Sequence, residues 1–298
     1  MTQNTVVQER PTPTLKPDPL QDPPRRTGWL RVLLIGLLLF FITTVIMFIT
    51  RNPNLYPTVI LIGNFLVPVV FVTFLYGHQH LSSLTPASIA QSFVIGGLLG
   101  VLGASVLEPL IIATPANPDQ GLSMGSALAI GLIEEGCKIL AVIWLARRNR
   151  HTGAIDGLLL GAAVGMGFAA LESTGYAFTA FLVSQGAIGA SIAATVMRGL
   201  LAPFGHGVWT AILGAVLFRA SAPYDFRFSG PVVLAYLFVA LLHGLWDGLP
   251  RFLYIIVPPG IAISVIPVTL SLIGLITLIV LYRQAMRQKL NEAAPINP

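Results

Sequence analysis

Charge is what this chain most lacks. Only 10% of its 298 residues are Asp, Glu, Lys or Arg, against about 25% in a typical soluble domain. No polar stretch is long enough to fold as a soluble domain. There is one cysteine, Cys137, which excludes an intrachain disulfide framework and a CxxC site. There is no zinc-finger spacing, basic stripe, phosphate-cradling glycine loop or HExxH run. The net charge of +5 therefore does not point to a nucleic-acid partner. The basic residues sit instead at the ends of hydrophobic runs, where membrane topology accounts for them.

What the chain has is apolar length. It is 55% hydrophobic, with a mean hydropathy of +0.80. A helix needs ~20 apolar residues to cross a hydrocarbon layer about 30 Å thick. Eight runs qualify, at about 29–50, 55–77, 88–114, 124–146, 155–183, 189–218, 231–256 and 260–282. The expected fold is an all-α polytopic membrane protein of about eight transmembrane helices, with one domain over 29–283. Residues 1–28 carry six prolines and too little apolar surface to order themselves, so they read as a disordered tail; 284–298 form a second tail. The first run is too long for a signal peptide, and no small-residue cleavage site follows it.

Arg25, Arg26 and Arg31 place the N-terminus in the cytoplasm by the positive-inside rule. An even number of spans returns the C-terminus to the same side. The loops after spans four and six and the final tail then carry Arg147, Arg148 and Arg150, Arg219 and Arg227, and Arg283, Arg287 and Lys289. The opposite loops hold Arg51 and Asp119. His78 and His80, at a span end, read as solvated.

Span four breaks the apolar pattern with Glu134-Glu135-Gly136-Cys137-Lys138. On insertion scales two acids and a lysine at the bilayer centre cost about 7–10 kcal/mol before pairing. Lys138 can reach either acid on a helix, which leaves one acid over. Three further spans repeat the anomaly with Glu172, with His206, and with His243-x-x-x-Asp247. All except Asp247 fall within about four residues of mid-span, a layer about 6 Å to either side of the centre, and His243 and Asp247 share a helix face. Intramembrane acids and histidines normally face the interior and pair there, so four helices are expected to surround one buried polar site. Four acids against Lys138 leave three negative charges. Either protons are shared among the acids or a divalent cation is bound; imidazole and carboxylate suit Zn²⁺.

Other polar residues read more simply. Asp156 opens span five, where its charge suits the helix dipole. Glu108 lies toward the outer end of span three and can reach the interface. Arg198 reads as snorkelling, the other reading being a grip on a substrate group. Gly96, Gly97, Gly100, Gly161, Gly165 and Gly167 suit close helix packing in lipid. Phe168 and Trp246 read as packing beside the site.

Glu134-Glu135-x-x-Lys138, Phe168-x-x-x-Glu172, a lone His206 and His243-x-x-x-Asp247 resemble, in order and on successive spans, the motifs of the PrsW family of intramembrane proteases. The resemblance covers about 124–256. The set is also similar to that of the wider CAAX-protease and bacteriocin-processing superfamily, whose members usually have Arg, His and Asn where this chain has Lys138, Glu172 and Asp247. The resemblance implies an intramembrane endopeptidase acting on membrane-tethered substrates, with anti-sigma-type regulators as one class, in a bacterial plasma membrane. It implies Glu134 as general base, Glu172 as the group that holds the water, and Lys138 as the group that keeps Glu134 or Glu135 ionised. His206, His243 and Asp247 are implied to steady the oxyanion or, with Glu172, to bind a metal. The family is described as metalloproteases, whereas the wider relatives suggest a metal-free glutamate mechanism; the charge excess leans toward Zn²⁺. Two other readings compete. A proton- or ion-coupled transporter would use the same acids, but spans one to three hold no second copy of the motifs, as inverted repeats would require. An inactive scaffold would lack an essential group, and none is missing.

Overall fold

A computed structural model describes residues 27–77, 82–112, 122–147, 153–222, 225–249, 254–257 and 261–293. The elements in chain order are helices α1 (Gly28–Thr50), α2 (Tyr56–Gly77), α3 (Pro86–Gln91), α4 (Gly97–Ile111), α5 (Met124–Ala146), α6 (Ala154–Val183), α7 (Ile188–Ala202), α8 (Val208–Ala220) and α9 (Gly230–Gly248), then strands β1 (Tyr254–Val257) and β2 (Ile261–Ser264), and helix α10 (Val265–Ala293). A 3₁₀ turn at Pro53–Leu55 leads into α2. Single π-helical turns, Ser92–Gly96 and Pro203–Gly207, join α3 to α4 and α7 to α8. Each of these pairs therefore runs as one continuous rod.

Among the described residues, seven rods are long and apolar enough to cross a membrane. The eighth expected span is α5, as long as α1 but carrying Glu134, Glu135 and Lys138. The polytopic all-α architecture holds, with two boundary corrections. Span seven ends at Gly248, not near 256, because Pro250 follows and has no backbone N–H with which to continue the helix. The last span begins at Val265 and continues to Ala293. Between them β1 and β2 form an antiparallel pair in the register Tyr254 to Ser264 and Val257 to Ile261. Both strands are rich in β-branched residues, which suit extended backbone. Arg25, Arg26, His78, His80, Asp119, Arg148 and Arg150, and the tail as far as residue 26, lie outside the described residues.

Helix α6 is the axis of the bundle. In its most apolar window 89% of residues are buried, against 6% for α1. Two glycines bring partner backbones within reach of the polar side chains. A Cβ at Gly165 on α6 would meet the His206 carbonyl, and one at Gly131 on α5 would meet the Ala240 carbonyl of α9. Without side chains there, α6 lies directly against the π turn, and α5 against α9. The N-terminus of α6 is tied down as well. The Asp156 carboxylate accepts hydrogen bonds from Ser82 Oγ at 2.8 Å, Ser83 N at 3.1 Å and Ser83 Oγ at 2.6 Å, so it anchors the neighbouring segment and does more than start a helix.

Candidate active site

The site is built around Lys138. Its side chain is wholly buried, and Nζ has three partners: Glu134 Oε2 at 3.1 Å, Glu135 Oε1 at 2.8 Å and His206 Nδ1 at 2.8 Å. An ammonium has three N–H donors, so each is used. Phe168, read from sequence as packing, also presents its ring 3.9 Å from Nζ, adding a cation–π contact on the remaining side. One lysine thus joins α5 to the π turn while packing against Phe168 of α6.

Helix periodicity places Glu134 and Glu135 differently. Glu135 has no exposed surface. Its Oε1 also accepts from His243 Nδ1 at 3.0 Å, and its Oε2 lies 3.4 Å from Thr210 Oγ1, whose hydroxyl donates to the His206 carbonyl at 2.8 Å. Glu135 Oε1 is therefore bonded twice, and the carboxylate lies among α5, α8 and α9. Glu134 is bonded to Lys138 and faces both imidazoles, with Oε2 3.6 Å from His243 Nε2 and 3.8 Å from His206 Nδ1.

The π turn aims His206. Pro203 opens it and cannot donate a backbone hydrogen bond; such single turns often sit at functional positions. His206 Nε2 lies 3.1 Å from Glu172 Oε2 on α6. With Lys138 donating to Nδ1, the proton sits on Nε2 and points at Glu172. His243, on α9, uses Nδ1–H on Glu135 and turns Nε2 toward Glu134 and toward Asp247 Oδ2, the latter at 3.4 Å. The two imidazole centroids are 4.9 Å apart, and the Trp209 ring packs 5.0 Å from His243.

All seven residues expected from sequence thus come together. Five are almost fully buried, while the Glu172 and Asp247 side chains retain 17% and 27% exposure, so the cluster opens on the side of those two acids. Among the described residues, the donor atoms of Glu134, His206 and His243 lie within 4.8 Å of one another, tight enough to hold one metal ion. Glu134, expected as a base, stands in this group. Glu172 and Asp247, expected as ligands, flank it, each against the Nε2 of one histidine.

Arg198 does not snorkel. Its Nη2 donates to Glu172 Oε2 at 2.7 Å, and its guanidinium lies 3.7 Å over the Tyr176 ring. The signal for this is the antiparallel pairing of α6 and α7: Ser191 Oγ donates to the Ala177 carbonyl at 2.6 Å, and between one and two turns further along each helix Arg198 meets Glu172. Arg198 is a second cation in the cluster, leaving two uncompensated acids instead of three. Glu108 is also drawn in. Its Oε1 is buried without a hydrogen-bond partner, and its carboxyl interacts with Glu134. Thr210, Arg198 and Glu108 are the site residues that sequence reasoning missed.

Fold and site together define a polytopic membrane protein with a carboxylate–imidazole centre enclosed by its helices. A family model described as PrsW family intramembrane metalloprotease matches residues 85–279, which is 195 of the 298 residues. The chain belongs to that family. No curated protein and no solved structure matches it.

Proposed function

We propose that the chain is an intramembrane endopeptidase that hydrolyses peptide bonds of membrane-tethered proteins. The observation that carries this is the convergence of Glu134, His206 and His243 around Lys138, inside a mostly apolar bundle. The substrate enters from the side where Glu172 and Asp247 are exposed. Water adds to the scissile carbonyl carbon and gives its proton to Glu134. The C–N bond then breaks, and the leaving amine takes the proton back from Glu134. A group of this kind contributes about 10²–10⁴-fold.

Glu135 takes no part in proton transfer, because it has no exposed surface and Lys138 and His243 already bond its Oε1. Its work is to fix His243 Nδ1 and leave Nε2 facing the reaction. Lys138 donates to both Glu134 and Glu135 and holds the two carboxylates in place. Glu172, clamped by Arg198, orients His206. The donor set fits a divalent cation, since two imidazoles and a carboxylate within 4.8 Å make a nitrogen–oxygen set suited to Zn²⁺. His243 Nε2 would hold it beside Glu134, joined by His206 Nδ1 once Lys138 no longer donates to that nitrogen, with Glu172 and Asp247 as the flanking carboxylates. Such an ion, when bound, supplies Lewis-acid polarisation of the carbonyl. An anti-sigma-type regulator in a bacterial plasma membrane, with both termini of the enzyme cytoplasmic, remains the substrate setting we favour.

The test is co-expression with a single-span substrate. Wild type is expected to cleave it, and Glu134→Gln and Glu172→Gln, each present at wild-type level, are expected not to. Normal cleavage by both variants would reject these roles.

A further inference from the structure

Away from the site, helices α8, α9 and α10 part to leave an apolar cavity of about 710 Å³, lined by Ile212, Val216, Leu234, Phe238 and Leu281 among others. Arg219 stands at its mouth. The same arginine lines a second, polar cavity of about 670 Å³ with Gln284, Arg287 and Gln288. Its Nη1 donates to Gln284 Oε1 at 3.3 Å, which holds the guanidinium over α10. From Arg219 to Ile212 is seven residues along α8, about 10 Å at the helical rise.

The N-terminus of α9 opens at this same place, because Pro231 also lines the apolar cavity. Its N-cap Ser229 makes no side-chain capping bond, and Ser229 Oγ is buried without a partner. The partial positive charge of a helix N-terminus is thus added to two exposed arginines. Apolar walls beside a cationic, hydrogen-bonding edge match neither a free anion, which has no use for the walls, nor a neutral lipid, which has no use for the bases.

We propose that this is a binding site for an anionic phospholipid, with one acyl chain in the α8–α9–α10 cavity and the phosphate at Arg219 and Arg287. Juxtamembrane bases recognise anionic headgroups in this way. The proposal is independent of the proteolytic reading.

The test is native mass spectrometry of the full-length protein in detergent, with phosphatidylglycerol and phosphatidylcholine of identical acyl chains supplied together. Wild type is expected to retain phosphatidylglycerol preferentially. The double variant Arg219→Gln/Arg287→Gln is expected to lose that preference by roughly tenfold or more, with unchanged thermal unfolding when no lipid is added. Arg51→Gln, on the loop after α1, keeps the preference, and inorganic phosphate does not compete. Ala235→Trp, which fills the cavity, lowers retention of both lipids. Equal retention of the two lipids by wild type, an undiminished preference in the double variant, an equal loss in Arg51→Gln, competition by phosphate, or unchanged retention in Ala235→Trp overturns the proposal.

Discussion

Lys138 donates to Nδ1 of His206 across 2.8 Å, a contact between residues 68 positions apart. It assigns the imidazole tautomer and makes one buried ammonium the hinge of the site. Removing one partner of a buried ion pair typically costs about 3–5 kcal/mol, because the other charge is left uncompensated. Lys138→Met is expected to destabilise the protein by about that amount, read by thermal or denaturant unfolding in detergent. Adding Glu135→Gln to Lys138→Met is expected to recover part of the loss. Additive losses in the double variant would show that the two side chains act separately.

Arg198 acts through Glu172. Arg198→Ala frees the carboxylate to rotate and is expected to lower kcat about tenfold with little change in KM, since the substrate itself is untouched. Arg198→Lys keeps the charge at one point but loses the planar fork, and should recover only part of the rate. A rise in KM alone would mean that Arg198 grips substrate instead.

The family description and the donor set lead to a metal prediction. Purified wild type is expected to hold about one zinc per chain by elemental analysis, and His206→Ala and His243→Ala to hold far less. Chelation should remove zinc and cleavage together, and added zinc should restore both. Full cleavage by a metal-free preparation would leave the same residues working without an ion.

Glu108 gives a graded prediction. It borders the cluster and interacts with Glu134 without joining the convergent group, so Glu108→Gln is expected to retain most activity where Glu134→Gln loses about 10²–10⁴-fold. The comparison is made on one substrate at matched protein levels. Equal losses would place Glu108 among the reacting groups.

The seven central residues were legible in the sequence because charge in an apolar run is costly, and each anomaly marks a helix that must turn inward. Their convergence followed from that rule alone. The pairing of Arg198 with Glu172 was not legible. It depends on how α6 and α7 register across the turn at Ser184–Gly186, where Gln185 and Gly186 take positive φ, and an arginine in the outer half of a span reads equally well as snorkelling. Thr210 was hidden because a hydroxyl carries no charge penalty. The strand pair before α10 was absorbed into spans seven and eight, since Tyr254–Val257 and Ile261–Ser264 are as apolar as a helix interior and only their β-branching and the flanking Pro250 and Pro258 set them apart. The π turn at Pro203–Gly207 had a signal, a proline and two glycines around His206, but periodicity alone does not separate a π turn from a continuous helix.

The most direct test is reconstitution of purified wild-type protein, Glu134→Gln and His243→Ala into proteoliposomes with a single-span substrate, in water enriched in ¹⁸O. Wild type is expected to give two fragments, with ¹⁸O in the new carboxyl group, and the variants neither. Intact substrate with wild type, together with proton or ion flux across the same liposomes, would contradict a hydrolytic centre and favour a transporter.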